Sequence, residues 1–355
     1  MGAPQQVFSS FGVSITPKIQ VYIVGGGTSP YLRAWPFVDS TGLGTAYGAP
    51  TGATAVGTNT RNIVFSPSIA AIIAPSSTSD FINAFKWNNT TGFGSKYSAP
   101  SPALPGESYG FMFNEAGDRI IITTLSSSPY VHAYEWSDSS GFGTKFTDPS
   151  PAFSASPGTV PQFTSDESGI IFGGNSQNAI AWNNTTGWGA KYSAPASPIA
   201  TTVAYLNPAK TVLFGLSSAT PYIHAWAWDN TTGIGTKYSD PATPPAGAPF
   251  IAPGIFFNDA GTRVMCSDTT PAVMSAYVWD DTTGFGSKFT SPSISSGSIR
   301  GIAFNQAKNI FVVNIQNSPR QLTLLWNDTT GFTQGSLAIS SVTNLFAATF
   351  SPVEP

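Results

Sequence analysis

A glycine-centred phrase returns seven times along this chain of 355 residues. "WNNTTGFGSKYSAP" begins at Trp87, and "WNNTTGWGAKYSAP" begins at Trp182. The turn glycines are Gly42, Gly92, Gly141, Gly187, Gly233, Gly284 and Gly331, spaced by 50, 49, 46, 46, 51 and 47 residues. Further columns keep the same register. Five residues before each glycine stands an aromatic: Phe37, Trp87, Trp136, Trp182, Trp228, Trp279 and Trp326. Three residues further back is Ala34, Ala84, Ala133, Ala179, Ala225, Ala276 or Thr323, and five after the glycine is a Tyr or Phe in all but the last copy. A period near 48 residues that runs almost end to end means one supersecondary unit copied and stacked.

Each copy reads as four short strands. In the third, "YGFMFN" is followed by the turn "EAGD", and "RIIITTL" is an apolar, β-branched run suited to a strand covered on both faces. "YVHAYEW" then alternates, with Tyr130, His132, Tyr134 and Trp136 on one face and Val131, Ala133 and Glu135 on the other. "SDSSGFG" turns again, and "TKFTDP" is read as a short last strand. Four strands in about 45 residues, seven times over, predict an all-β fold: a seven-bladed β-propeller forming a single domain over residues 1–355. A large face (Tyr134, Trp136) meeting a small one (Ala133) lets every blade pack on the next in the same way. The tail "TNLFAATFSPVEP" resembles the first strand of a copy, so residues 343–352 are expected to share one blade with the N-terminal segment and close the ring.

Composition narrows the function classes. Charged residues are only 9% of the chain, against roughly 25% in an ordinary domain, and the net charge is −3. No basic cluster points to nucleic acid. Cys266 is the sole cysteine, so neither an internal disulfide nor a thiolate metal site is expected. The N-terminus lacks the pattern of a secretory signal, "MGAPQQ" has Gln6 where a myristoylation signal wants Ser or Thr, and no apolar run is long enough for a membrane helix. The Asn-x-Thr sequons, such as those at Asn88 and Asn183, read as by-products of the repeated turn.

Polar columns recur but do not converge. The Asp/Asn column, three residues before each turn glycine (Asp39, Asn89, Asp138, Asn184, Asn230, Asp281 and Asp328), is read as turn chemistry without a metal. Lys96, Lys145, Lys191, Lys237 and Lys288 are read as guards of each blade's outer edge. His132 and His224 occupy one repeat position in non-adjacent copies, and are expected to be exposed and unable to share a metal. No catalytic, cofactor-binding or metal-binding residue is assigned. Recognition is expected where the loops vary, on the face of the "SSSP"-like turns and the inter-blade links. The third-strand starts Arg33, Asn83, His132, Asn178, His224 and Ser275 are its candidate residues.

The succession of apolar strand, turn such as "FSPS", apolar strand, and strand ending in Trp before a polar turn resembles the WD-repeat propellers. Trp-Asp itself occurs at Trp228-Asp229 and Trp279-Asp280. The low charge, Ser/Thr/Gly richness and near-identical copies resemble bacteriophage virion proteins. These resemblances imply a non-enzymatic scaffold of a capsid or tail, found in a virion or outside the cell after lysis. Its partners would be other virion or assembly proteins, or a host-surface glycan. The alternative is a glycan-binding lectin or adhesin. An enzyme using the central tunnel ranks third, because no acid–base pair or nucleophile stands out.

Overall fold

The computed structural model describes residues 20–352, apart from residues 57–61, 79, 126–127, 154–155, 158–159, 174–177, 195–200, 248–253, 270–271, 293, 295–298, 316–320 and 336–344. The readings made for the N-terminal "MGAPQQ" therefore lie outside the described residues. Seven four-stranded antiparallel sheets follow one another, and each is a blade. The strands of a blade are named a to d from the axis outward. Blade three, for example, is built from Ser108–Phe113 (a), Arg119–Thr124 (b), Val131–Ser137 (c) and Gly141–Lys145 (d).

Strand d departs from the sequence reading, because it begins at the turn glycine itself. Gly141 takes φ +84° and pairs back onto Ser137, so the chain reverses without a longer loop. The turn glycines of all seven blades take φ between +81° and +86°, a region costly for any side chain. Two polar columns share the work at this turn. The residue just after the Trp closes the hairpin, as where Asn88 Oδ1 accepts from the amides of Thr90 and Thr91. The Asp/Asn column next to it does something else: it receives the indole N–H, as in Trp136 Nε1 to Asp138 Oδ1 at 2.8 Å.

Large-on-small packing between blades is observed. Tyr134 and Trp136 of blade three share a buried cluster with Ile82 and Ala84 of blade two, while Val131 and Ala133 face Trp182 of blade four. The aromatic after the turn glycine crosses to the next blade. The Tyr97 ring meets Trp136 edge-on at 5.0 Å, and its hydroxyl donates to the Asp138 carbonyl at 2.6 Å. Tyr47, Phe146, Tyr192, Tyr238 and Phe289 repeat the ring contact with the Trp of the following blade. Such pairs contribute about 0.5–1.5 kcal/mol each beyond their buried area. The repeated phrase is thus an inter-blade clasp as well as a turn.

The ring closes as expected. Leu345–Phe350 supplies strand a of blade one and pairs antiparallel with Gln20–Gly26. The junction is sealed by Gln20 Nε2 donating to the Ser351 carbonyl and by the Val21 amide donating to Ser351 Oγ, both at 2.9 Å.

Candidate functional site

The a–b turns lie at one end of the inner strands, and each is closed by the side chain that opens it. Asn114 Oδ1 accepts from the amides of Asp118 and Arg119 at 3.0 and 2.9 Å. Asn207 and Asn305 do the same in blades five and seven, and Thr164 Oγ1 accepts from the Gly169 amide in blade four. The fourth residue of each turn must then take a left-handed backbone. Blades three and six use Gly117 and Gly261 there. Blades four, five and seven instead hold Glu167, Lys210 and Lys308 at φ +54°, +55° and +51°. A non-glycine residue in that region costs about 1–2 kcal/mol. Three of these turns therefore place a charged side chain on strained backbone, and blade two places Ile69 there at φ +60°.

Two of those side chains line a pocket of about 560 Å³. Its apolar part comes from Met112, Phe113 and Phe163 at the ends of strands a, and from Pro67 and Pro208 in the turns. Its charged groups are Glu115, Glu167 and Lys210, contributed by three successive blades. An adjoining recess adds Asp166 beside Glu115 and Glu167. Glu167 is held in place: its carboxylate accepts from the Glu115 amide at 2.5 Å and from Asn184 Nδ2 at 2.9 Å. Lys210 Nζ donates to the Thr164 carbonyl at 3.1 Å, which fixes its ammonium at the rim. Partial burial pushes the Asp166 carboxyl up, but hydrogen bonds from Ser168 and Thr164 outweigh this and leave it below the ordinary carboxylate range. Chemically, the pocket can take a proton from water with a carboxylate and stabilise a developing oxyanion with an ammonium. Among the described residues, no group of three or more His, Cys, Asp or Glu side chains could hold a metal ion.

The candidate residues on the opposite face have a different task. Asn83 is fully buried; its Oδ1 accepts from the Thr54 amide and its Nδ2 donates to the Thr54 carbonyl, both at 2.9 Å, tying down the link into blade two. His132 and His224 are buried, 1% and 3% exposed, and not exposed as expected. His224 Nδ1 lies 3.0 Å from Asp240 and its Nε2 lies 3.1 Å from Ser217 Oγ. His132 stands 3.9 Å from Asp148 and is pushed down to about 4 by burial first and Lys145 second, with Asp148 opposing. Ser275 is buried and donates to Asp268, whose other carboxylate oxygen accepts no hydrogen bond from the described residues. Burial raises Asp268 to about 7 against its hydrogen bonds from Ala246 and Ser275 and the pull of Lys288. Arg33 is half-buried and pairs with Val24 across the sheet. Asn178 holds the same register position opposite Phe172, and its side chain is outside the described part.

Asn83, His224 and, through Asp268, Ser275 anchor inter-blade links, and the six positions stand on six different blades. The lysine column also serves the links. Lys145 and Lys237 each pair with an Asp three residues on, at 2.6 Å, and Lys191 and Lys288 donate to the carbonyls of Ala152 and Pro244. Sequence reasoning missed Glu115, Glu167 and Lys210 because the a–b turns look uniform. The available signal was a charged residue where sister turns place glycine, as in "TSDE" and "NPAK" against "NEAG".

No protein-family model matches the chain, and no curated protein matches it. Solved structures do. A provisionally named 6-phosphogluconolactonase of Bacteroides fragilis superposes with a TM-score of 0.73 at 12% identity, over 96% of this chain and 99% of its own. The periplasmic gluconolactonase PpgL of Pseudomonas aeruginosa gives 0.73 at 11%, over 95% and 100%. The Swd1 β-propeller domain of Myceliophteria thermophila gives 0.54 at 11%, over 78% and 86%. At these identities the likeness establishes the fold. It also overturns the expectation of a non-enzymatic virion scaffold, with a lectin or adhesin as alternative. Two Bacteroides neighbours and the Pseudomonas one carry lactonase names, and the bacteriophage-like style of the sequence finds no counterpart among these three. The broad resemblance to WD-repeat propellers holds for architecture. Among the described residues no helix is long and apolar enough to cross a membrane.

Proposed function

We propose that this propeller is a hydrolase that opens a lactone ring in the pocket at the a–b turns. The observation that carries the proposal is the pair Glu167 and Lys210, held in left-handed backbone at the position where blades three and six use glycine, and lining one cavity with Glu115. Strain kept at the rim of a cavity marks function more readily than strain scattered over a surface. Support also comes from the Bacteroides and Pseudomonas neighbours that carry lactonase names.

In this reading the Glu115 carboxylate takes a proton from water as the water oxygen bonds to the lactone carbonyl carbon. The resulting oxyanion faces the Lys210 ammonium. Collapse of the tetrahedral intermediate breaks the ring C–O bond, and the departing alkoxide recovers the proton from Glu115. The product is the open hydroxy acid. Glu167, bonded to the Glu115 amide, fixes the turn that carries the base.

The test is proton release from δ-gluconolactone, corrected for spontaneous opening. Wild type is expected to exceed the background clearly. Glu115→Gln should lose about 10²–10⁴-fold in kcat, the range for one general base, while melting unchanged because Glu115 is exposed. A wild-type rate equal to buffer alone would sink the proposal.

A further inference from the structure

The charge of the pocket is informative about the substrate as well as the chemistry. Around the cavity and its adjoining recess stand three carboxylates, Glu115, Asp166 and Glu167, against one ammonium, Lys210. One donor direction of that ammonium is already directed at the Thr164 carbonyl. Asp166 sits below the ordinary carboxylate range and is ionised at neutral pH. Among the described residues, no arginine lines either space. The nearest one along the turn, Arg119, directs its guanidinium elsewhere: Nε donates to the Asn184 carbonyl and Nη1 pairs with Asp118.

Phosphate recognition is built in the opposite way, from arginine forks, lysines or clustered backbone amides around a dianion. Here the Glu115 amide, an available donor at the rim, is already taken by the Glu167 carboxylate. A phosphorylated sugar would therefore bring two negative charges against an excess of two, with no fork to receive them. A neutral polyol lactone meets no such penalty, since its hydroxyls can donate to those carboxylates, and its rings and methines can lie on Met112, Phe113 and Phe163.

Resting on the lactone-opening reading above, we infer that the substrate is an uncharged, hydroxyl-rich lactone, and that the pocket selects against its phosphorylated counterpart. In this respect the chain would part from the neighbours named 6-phosphogluconolactonases.

The experiment compares kcat/KM for δ-gluconolactone and 6-phosphogluconolactone at low and high salt, in wild type and Asp166→Asn. The neutral lactone is expected to be preferred by more than tenfold at low salt. The preference should narrow severalfold at high salt, since the repulsion is screened. It should also narrow severalfold in Asp166→Asn, whose side-chain oxygen still accepts from Ser168. If the phosphorylated lactone is opened as fast or faster, the inference is overturned while the lactonase reading stands. If neither lactone is opened, both fall together. A preference insensitive to both salt and Asp166→Asn would show discrimination by shape rather than charge, and would equally overturn the inference.

Discussion

Gly141 shows how much one position in this repeat is asked to do. Its backbone is left-handed at φ +84°, and a methyl group placed on it would lie 2.8 Å from Cδ1 of the Tyr97 ring. That ring belongs to the preceding blade and is anchored by its bond to Asp138 and its edge-on contact with Trp136. Gly141→Ala therefore incurs about 1–2 kcal/mol of backbone strain and must also push the clasp apart. We expect a loss of about 2–4 kcal/mol by chemical denaturation. Gly48→Ala, where an added methyl meets nothing within 4 Å, should change stability by less than ~0.5 kcal/mol. Equal effects at the two sites would discredit the clasp. His132 carries a second residue-scale consequence. Burial lowers it from 6.5 to about 4, so the folded chain keeps it neutral while the unfolded chain binds a proton. Between those two values the unfolded state holds more protons, and stability must fall as pH falls. The stabilisation is fully present above about pH 6.5 and is lost on acidification towards pH 4. His132→Asn, which copies the residue found at Asn83, should remove about 1–3 kcal/mol of that pH dependence. Denaturation midpoints at pH 7 and pH 4.5 measure it, and parallel wild-type and variant curves would count against it.

Within a blade, the strands are the easily read part and the links are not. Alternation and β-branched runs identify strands b and c because both lie between neighbouring sheets, where each side chain's face is decided by packing. The links carry no periodicity, so nothing in "GAPTGATAV" announces that Thr54 will be gripped by Asn83. For the same reason His132, His224 and Ser275 look like free strand ends in sequence and are buried anchors in the fold. The lysines suggest edge protection because a strand at a sheet's rim ordinarily needs it. In the fold the lysine holds a link, as Lys237 does by pairing with Asp240. Asn83→Ala tests the element directly. It strands the Thr54 amide and carbonyl without partners and should cost about 1–3 kcal/mol. Hydrogen exchange should accelerate first in the link around residues 51–56. Faster exchange spread evenly across blade two, with the link unaffected, would contradict the anchoring role.

At the scale of the ring, the number of blades, the order of strands and the shared closing blade were all legible, because a period of 46 to 51 residues leaves few ways to bury both faces of every copy. The pocket was not. It forms where turns from blades three, four and five approach each other, and a repeat alignment places Glu115, Glu167 and Lys210 in different copies, never side by side. Closure is where sequence and ring meet most directly. Ending the chain after residue 344 removes strand a of blade one, and with it the partner of Gln20–Gly26, the contacts of Phe350 with Tyr22 and Phe37, and the Ser351 bonds to Gln20 and Val21. Buried Ala348, partly buried Phe350 and the strand's share of the ladder contribute on the order of 5 kcal/mol. Against the roughly 5–15 kcal/mol that holds a whole domain, that loss leaves little margin. The shortened chain should melt well below the full one or associate through the exposed edge of blade one. A peptide of residues 343–353 should restore the original transition as its concentration rises, since it refills an edge already shaped by Tyr22 and Val24. A shortened chain that melts within about 2 °C of the full one, with or without peptide, would mean that six blades and three strands are enough and that closure contributes little.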